Sequence, residues 1–174
     1  TSSGSPYATG EIDNTARVWE LRSGQQVAVL AGHGDKVNSA VFSPDGRCVL
    51  TVSRDRTLRL WDARRGTELV VFRGHINSVE CAAFAPCGNL IVSGSMDCAV
   101  RIWNVDGREI AILDGHKDNV KTASFSPNGL KVLTTSRDNT GRLWDPFYRA
   151  GTVILKGHSA DVGSAAFDAR GIRI

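Results

Sequence analysis

The chain has 174 residues, 41% of them hydrophobic and 22% charged, with a formal net charge of +3. That length fits one domain with a packed core. Because only Arg64 and Arg65 are adjacent basic residues, it lacks the clustered Lys/Arg of a basic nucleic-acid binder. No apolar run approaches the roughly 20 residues needed to span a bilayer, and no signal peptide is legible.

In chain order, the first 31 residues hold the back part of a unit, with Trp19 in its third strand-like run and Gln26–Leu30 as its fourth. The next segment starts at Gly32-His33 and has four such runs. Val37–Phe42 is closed by Ser43-Pro44-Asp45-Gly46, where Pro presets φ and Gly tolerates the left-handed region. Cys48–Val52 follows, then the tight turn Ser53-Arg54-Asp55-Arg56, then Leu58–Asp62 and Glu68–Phe72. The pattern recurs as Val79–Phe84, Leu90–Gly94, Val100–Asn104 and Glu109–Leu113. It recurs again as Val120–Phe125, Lys131–Thr135, Gly141–Asp145 and Thr152–Lys156. After His158 only the first run, Val162–Phe167, remains. Short β-rich runs with Gly/Pro/Asp punctuation predict an all-β fold.

These segments are copies of one unit. His33 to Trp61, His75 to Trp103 and His116 to Trp144 each span 28 residues, and the Gly-His pairs recur at 42, 41 and 42 residues. Such a period signals a repeat architecture. The repeat boundaries fall near 1–31, 32–73, 74–114, 115–156 and 157–174, the first and last being partial. The missing front of the first unit is the part that the C-terminal unit carries.

The Gly-His pairs, Trp61-Asp62 and Trp144-Asp145, the variants Trp19-Glu20 and Trp103-Asn104, and the stretches Ser53–Trp61 and Ser136–Trp144 resemble the WD-repeat (WD40) β-propeller family over essentially the whole chain. The resemblance implies four-stranded antiparallel blades arranged radially. Here it implies three intact blades and one split between the termini. It also implies a polar network in each blade, in which Asp bonds His, His bonds Ser and Ser reaches the Trp indole. The sets are His33, Ser53, Asp55 and Trp61; His75, Ser95, Asp97 and Trp103; and His116, Ser136, Asp138 and Trp144. The fourth set, His158 with Asp13 and Trp19, requires the two ends to meet and has Glu11 in the Ser position.

Recurrence of these groups once per blade argues against a catalytic triad, which is a single convergent site. It also argues against one metal site built from the histidines, and no cofactor or phosphate loop is expected. The cysteines, Cys48, Cys81, Cys87 and Cys98, form no C-x-x-C pair and read as free thiols of a reducing, cytoplasmic compartment. The resemblance places two turns of each blade on one face. The first kind contributes Asp35, Lys36, Asn77, Ser78, Asp118, Asn119 and Asp161. The second contributes Arg54, Arg56, Met96, Cys98, Arg137 and Asn139. Arg54, Arg56 and Arg137 make that face locally basic, suited to an acidic peptide or protein segment. A solvated rim is the alternative for these arginines. Phe147 and Tyr148 stand in an atypical turn, where packing over the blade edge is favoured over an exposed contact.

The expected function is a non-catalytic protein–protein interaction scaffold, with a nucleic-acid-binding module using the Arg-bearing face as the alternative. Three routes to a ring stay open: an excerpt of a longer propeller, a C2 homodimer forming eight blades, and a closed four-bladed monomer.

Overall fold

The computed structural model describes residues 7–10, 13–147, 151–171 and 173–174, and among them every regular element is a strand. A three-stranded N-terminal sheet consists of β1 (Tyr7–Gly10), β2 (Thr15–Trp19) and β3 (Gln26–Ala31). The first full blade is β4 (Val37–Phe42), β5 (Cys48–Ser53), β6 (Thr57–Asp62) and β7 (Glu68–Arg73). The second is β8 (Val79–Phe84), β9 (Leu90–Ser95), β10 (Val100–Asn104) and β11 (Glu109–Leu113). The third is β12 (Val120–Phe125), β13 (Val132–Ser136), β14 (Gly141–Trp144) and β15 (Val153–Leu155). Each blade is an antiparallel meander in chain order.

The core lies between the sheets. Ala16, Val18 and Leu30 of the N-terminal sheet pack against Val37, Val49 and Trp61 of the first blade. Leu50, Leu58 and Phe72 then meet Val79, Ile91 and Trp103 of the second. Val92, Val100 and Ile102 meet Val120, Phe125 and Trp144 of the third. Each blade's Trp therefore packs toward the preceding sheet. The second strands are sandwiched on both faces, which is why β5, β9 and β13 are buried almost throughout rather than alternately.

Two bulges recur. On the first strands the register skips Asn38, Glu80 and Lys121. A bulge leaves one residue out of the ladder and re-aims its side chain. The skipped residues are used between blades: Asn38 Nδ2 donates to the Val79 carbonyl at 2.8 Å and to Ser78 Oγ at 3.0 Å. Lys121 Nζ stands 3.9 Å from Glu80 Oε2. On the fourth strands the register skips Val27, Leu69 and Ile110, which face solvent, and sets Gln26, Glu68 and Glu109 opposite the Trp.

One expected strand does not form. Residues 162–167 carry the first-strand pattern but pair into no ladder among the described residues. Val162 is nevertheless buried, and its amide donates to the Ser136 carbonyl at 3.2 Å, so the segment lies against the third blade. No helix among the described residues is long and apolar enough to cross a membrane.

Candidate functional site

In each full blade the strand register brings Asp, His and Trp to one chain of hydrogen bonds. His33 Nδ1 lies 2.8 Å from Asp55 Oδ2, and the same 2.8 Å separates His75 from Asp97 and His116 from Asp138. The next link departs from the expected set. His33 Nε2 meets Thr51 Oγ1 at 2.7 Å, His75 Nε2 meets Ser93 Oγ at 2.8 Å, and His116 Nε2 meets Thr134 Oγ1 at 2.7 Å. The same hydroxyls accept the indole N–H of Trp61, Trp103 and Trp144 at 2.8, 2.9 and 2.8 Å. Ser53, Ser95 and Ser136 are therefore not members of this chain of bonds. Side chains two residues apart share a strand face, so both hydroxyls point the right way. About 6.6 Å of strand separates them, and only the upstream one reaches the indole.

The displaced serines hold two turns together. Ser53 Oγ donates to the Asp35 carbonyl at 2.8 Å and accepts the Asp55 amide at 3.0 Å. Ser95 and Ser136 make the equivalent pairs with Asn77 and Asp97, and with Asp118 and Asp138. Backbone bonds close the same junction: Arg54 N to Lys36 O, Met96 N to Ser78 O, and Arg137 N to Asn119 O, at 3.0, 2.9 and 3.0 Å. Asp55 contributes as well, since Oδ2 accepts the Gly34 amide and Oδ1 accepts the Thr57 amide and hydroxyl. The two loop kinds expected to share a face are thus brought together and fixed.

With neutral imidazoles the bonding sets one proton order. Indole N–H and carboxylate have one role each, donor and acceptor. The hydroxyl accepts from Trp and donates to His Nε2, and Nδ1–H donates to Asp. That tautomer is neutral, and burial holds His33 and His116 below the usual imidazole range against the opposing pull of their Asp partners. Burial acts to raise Asp55 and Asp97. Hydrogen bonds outweigh it, led by Thr57 for Asp55 and by His75 for Asp97, and hold both carboxyls at about 2. Asp138 is lowered in the same way by Thr140 and His116 against burial. The groups are partnered within single blades, as structural networks are.

The fourth set does not assemble. Asp13 accepts Thr15 through Oδ1 and pairs with Arg17 at 2.8 Å, while His158 is exposed. Glu11 and Tyr148 lie outside the described residues, and Phe147 is 41% exposed. Among the described residues no three His, Cys, Asp or Glu side chains gather as a metal site. All four cysteines are free thiols.

On the loop face, Arg54 and Arg56 are exposed, and among the described residues no carboxylate lies within ion-pair distance of either. Arg137 instead pairs with Asp161 at 3.4 Å. Arg56, Cys98 and Asn139 occupy the same turn position at φ 70, 67 and 63°. Such left-handed backbone is uncommon for non-glycine residues. Asp35, Asn77 and Asp118 each turn back onto the following amide, at 2.6, 2.8 and 2.6 Å. Met96 is half-buried.

Stacked four-stranded meanders with cores between them define a segment of a β-propeller. The chain matches the model of the WD domain, G-beta repeat, over residues 24–62, 66–104 and 107–145, and it belongs to that family. As a class these repeats are scaffolds for protein interaction and are generally non-catalytic. Among its relatives are the nuclear distribution protein PAC1-2 of Postia placenta, 39% identical over 25% of this chain and 10% of that protein. The nuclear distribution protein PAC1 of Mycosarcoma maydis is 44% identical over 26% of this chain and 10% of its own length. Coronin-7 of Mus musculus is 38% identical over 27% of this chain and 5% of its own length. The matched stretch is thus one repeat's length and a tenth or less of each of these relatives.

Proposed function

We propose that this chain is an interaction scaffold whose clasped loop face holds an acidic segment of a partner protein. The observation that carries the reading is the state of the first blade's turn. Arg54 and Arg56 project from a loop fixed by the Arg54–Lys36 backbone bond and the Ser53 clasp, and neither is engaged by a carboxylate of the described chain. Arg on a preorganised loop binds carboxylates at a low ordering cost. Arg137 joins this face on the third blade but is already neutralised by Asp161, so it contributes less. Lys36, beside the clasp, adds charge, and Asp35, Asn77, Met96, Asp118 and Asn139 form the surrounding rim.

The test is a pull-down from native extract with the wild-type chain and an Arg54→Glu/Arg56→Glu/Arg137→Glu variant. Loss of a partner with the variant supports this face, and equal recovery removes it. Titration with oligonucleotides at about 50 mM salt decides the nucleic-acid alternative, since binding to a phosphate backbone is strongest at low salt. The four free thiols support a cytoplasmic location.

A second proposal concerns the ring. Among the described residues the N-terminal sheet has three strands, residues 162–167 carry a first-strand pattern without a ladder, and His158 is exposed. These features support exchange between two copies in a C2 arrangement of eight blades. Light scattering at micromolar concentration reads this directly: a two-chain mass supports the exchange, and a one-chain mass overturns it.

A further inference from the structure

The three full blades share a cradle that the third leaves incomplete. In the first blade, Arg59 Nη1 donates to Glu68 Oε2 at 2.5 Å, and both border Gly32 and the ring of Trp61. In the second, Arg101 donates to Glu109 beside Gly74 and Trp103. The third blade keeps Gly115, Arg142 and Trp144, with the Arg142 guanidinium 5.6 Å from the centre of the indole ring. It lacks the acid. Trp61 faces Glu68 in a ladder where Leu60 faces Val70. Leu143 faces Val153 in the last pair of the β14–β15 ladder, so Gly151 holds the chain position that Glu68 and Glu109 hold in the other two blades. The sequence from Pro146 to Ala160 contains neither Asp nor Glu. Among the described residues, no carboxylate lies within ion-pair distance of Arg142.

The surface beside Trp144 is open. A groove of about 410 Å³ runs between β11 and the turn of the third blade, with Trp144 and Gly151 among its walls. Ile110 and Ile112, both exposed, line its other side. A Cβ at Gly151 meets nothing within 4 Å, and its backbone lies outside the left-handed region. Of the acidic residues on the groove, Asp145 is held by Lys131 at 2.6 Å and Asp114 is exposed to solvent. Arg142 is half-buried, so a carboxylate reaching it is shielded from water, where a charge-assisted bond is stronger.

We infer that Arg142 takes its missing carboxylate from outside the chain: an Asp or Glu side chain of an extended partner segment that also sets an aliphatic residue against Ile110 and Ile112. A protein carboxylate is the occupant because glutamate fills the same place in the two neighbouring blades. This surface is separate from the Arg54/Arg56 face, and its occupancy does not depend on that face.

The experiment uses an end-blocked peptide of alternating Glu and Val and its Gln counterpart, followed through the Trp144 indole N–H resonance. Wild type binds the Glu peptide about tenfold tighter than the Gln peptide. Gly151→Glu supplies the acid internally. It abolishes peptide binding while raising Tm by roughly 2–4 °C, so that lost binding is not lost folding. Arg142→Gln loses the Glu preference, and Arg54→Glu/Arg56→Glu keeps it. Equal binding of the two peptides, no binding at millimolar peptide, or undiminished binding by Gly151→Glu overturns the inference.

Discussion

The hydroxyl of Thr134 accepts the indole N–H of Trp144 at 2.8 Å. It is also the group that meets His116 Nε2, at 2.7 Å, so one oxygen joins two buried rings. Thr134→Val keeps the shape and strands both ring nitrogens, a cost of about 2–4 kcal/mol for two buried unsatisfied groups. Thr134→Ser keeps the bonds and costs under about 1 kcal/mol. Ser136→Ala loosens only the turn clasp and costs roughly 1 kcal/mol. Urea denaturation ranks the three. A neutral Thr134→Val beside a severe Ser136→Ala would return the serine to the network.

Acid weakens the fold in two steps. His33 and His116 have folded values lowered below 6.5, so the unfolded chain binds more protons, and their contribution is full above that value and is lost as pH falls below it. Asp55 and Asp97, at about 2 when folded against 3.8 for the free carboxyl, contribute fully above 3.8 and lose that contribution as pH falls through about 2. Tm measured from pH 8 downward is expected to fall first below about 6.5 and again below about 4. A Tm constant from pH 7 to 5 contradicts the neutral-histidine assignment.

Gly94 marks a close approach between the second and third blades. A Cβ there lies 2.5 Å from Val120 Cγ1 and 2.9 Å from Cys81 Sγ. Gly94→Ala is expected to destabilise by about 1–3 kcal/mol through overpacking, and Gly94→Ala/Val120→Ala to recover part of it. Additive losses in chemical denaturation would show that the two residues are not in contact.

The thiols differ in reach. Cys87 is exposed, whereas burial pushes the Cys81 thiol up to about 12. Burial also raises Cys48 and Cys98, though less. Thiolate is the reactive form, so a thiol reagent at pH 8 is expected to label Cys87 first and Cys81 only on unfolding. Peptide mapping of the labelled protein reads the order, and early labelling of Cys81 contradicts its burial.

The Gly-His to Trp interval placed the strands of the three full blades, helped by the turns Pro44-Asp45-Gly46, Pro86-Cys87-Gly88 and Pro127-Asn128-Gly129 and by Asp55, Asp97 and Asp138 between the second and third strands. The expected bounds shift by a residue at β5, β9 and β13, where the ladder runs on to the clasping serine. The hydroxyl of the network was a different matter. Thr51 and Ser53 share a strand face, and sequence periodicity gives both the same direction. The choice belongs to the distance between paired strands, which a period cannot express. Thr51, Ser93 and Thr134 could still have been suspected, as polar residues recurring ten positions before each Trp inside apolar strands.

Local chemistry by itself determined the unit: its four strands, its turns and the all-β class, because turn preferences and period-two patterning act over a few residues; the Asp–His pair was what the family resemblance implied. Tertiary structure decided what depends on distance between strands and blades. It moved the relay from Ser53 to Thr51. It turned the skipped residues Asn38, Glu80 and Lys121 into links between blades. It engaged Arg137 with Asp161 while leaving Arg54 and Arg56 without a carboxylate partner among the described residues. It left 162–167 without a ladder, since a strand is a strand only beside its neighbour.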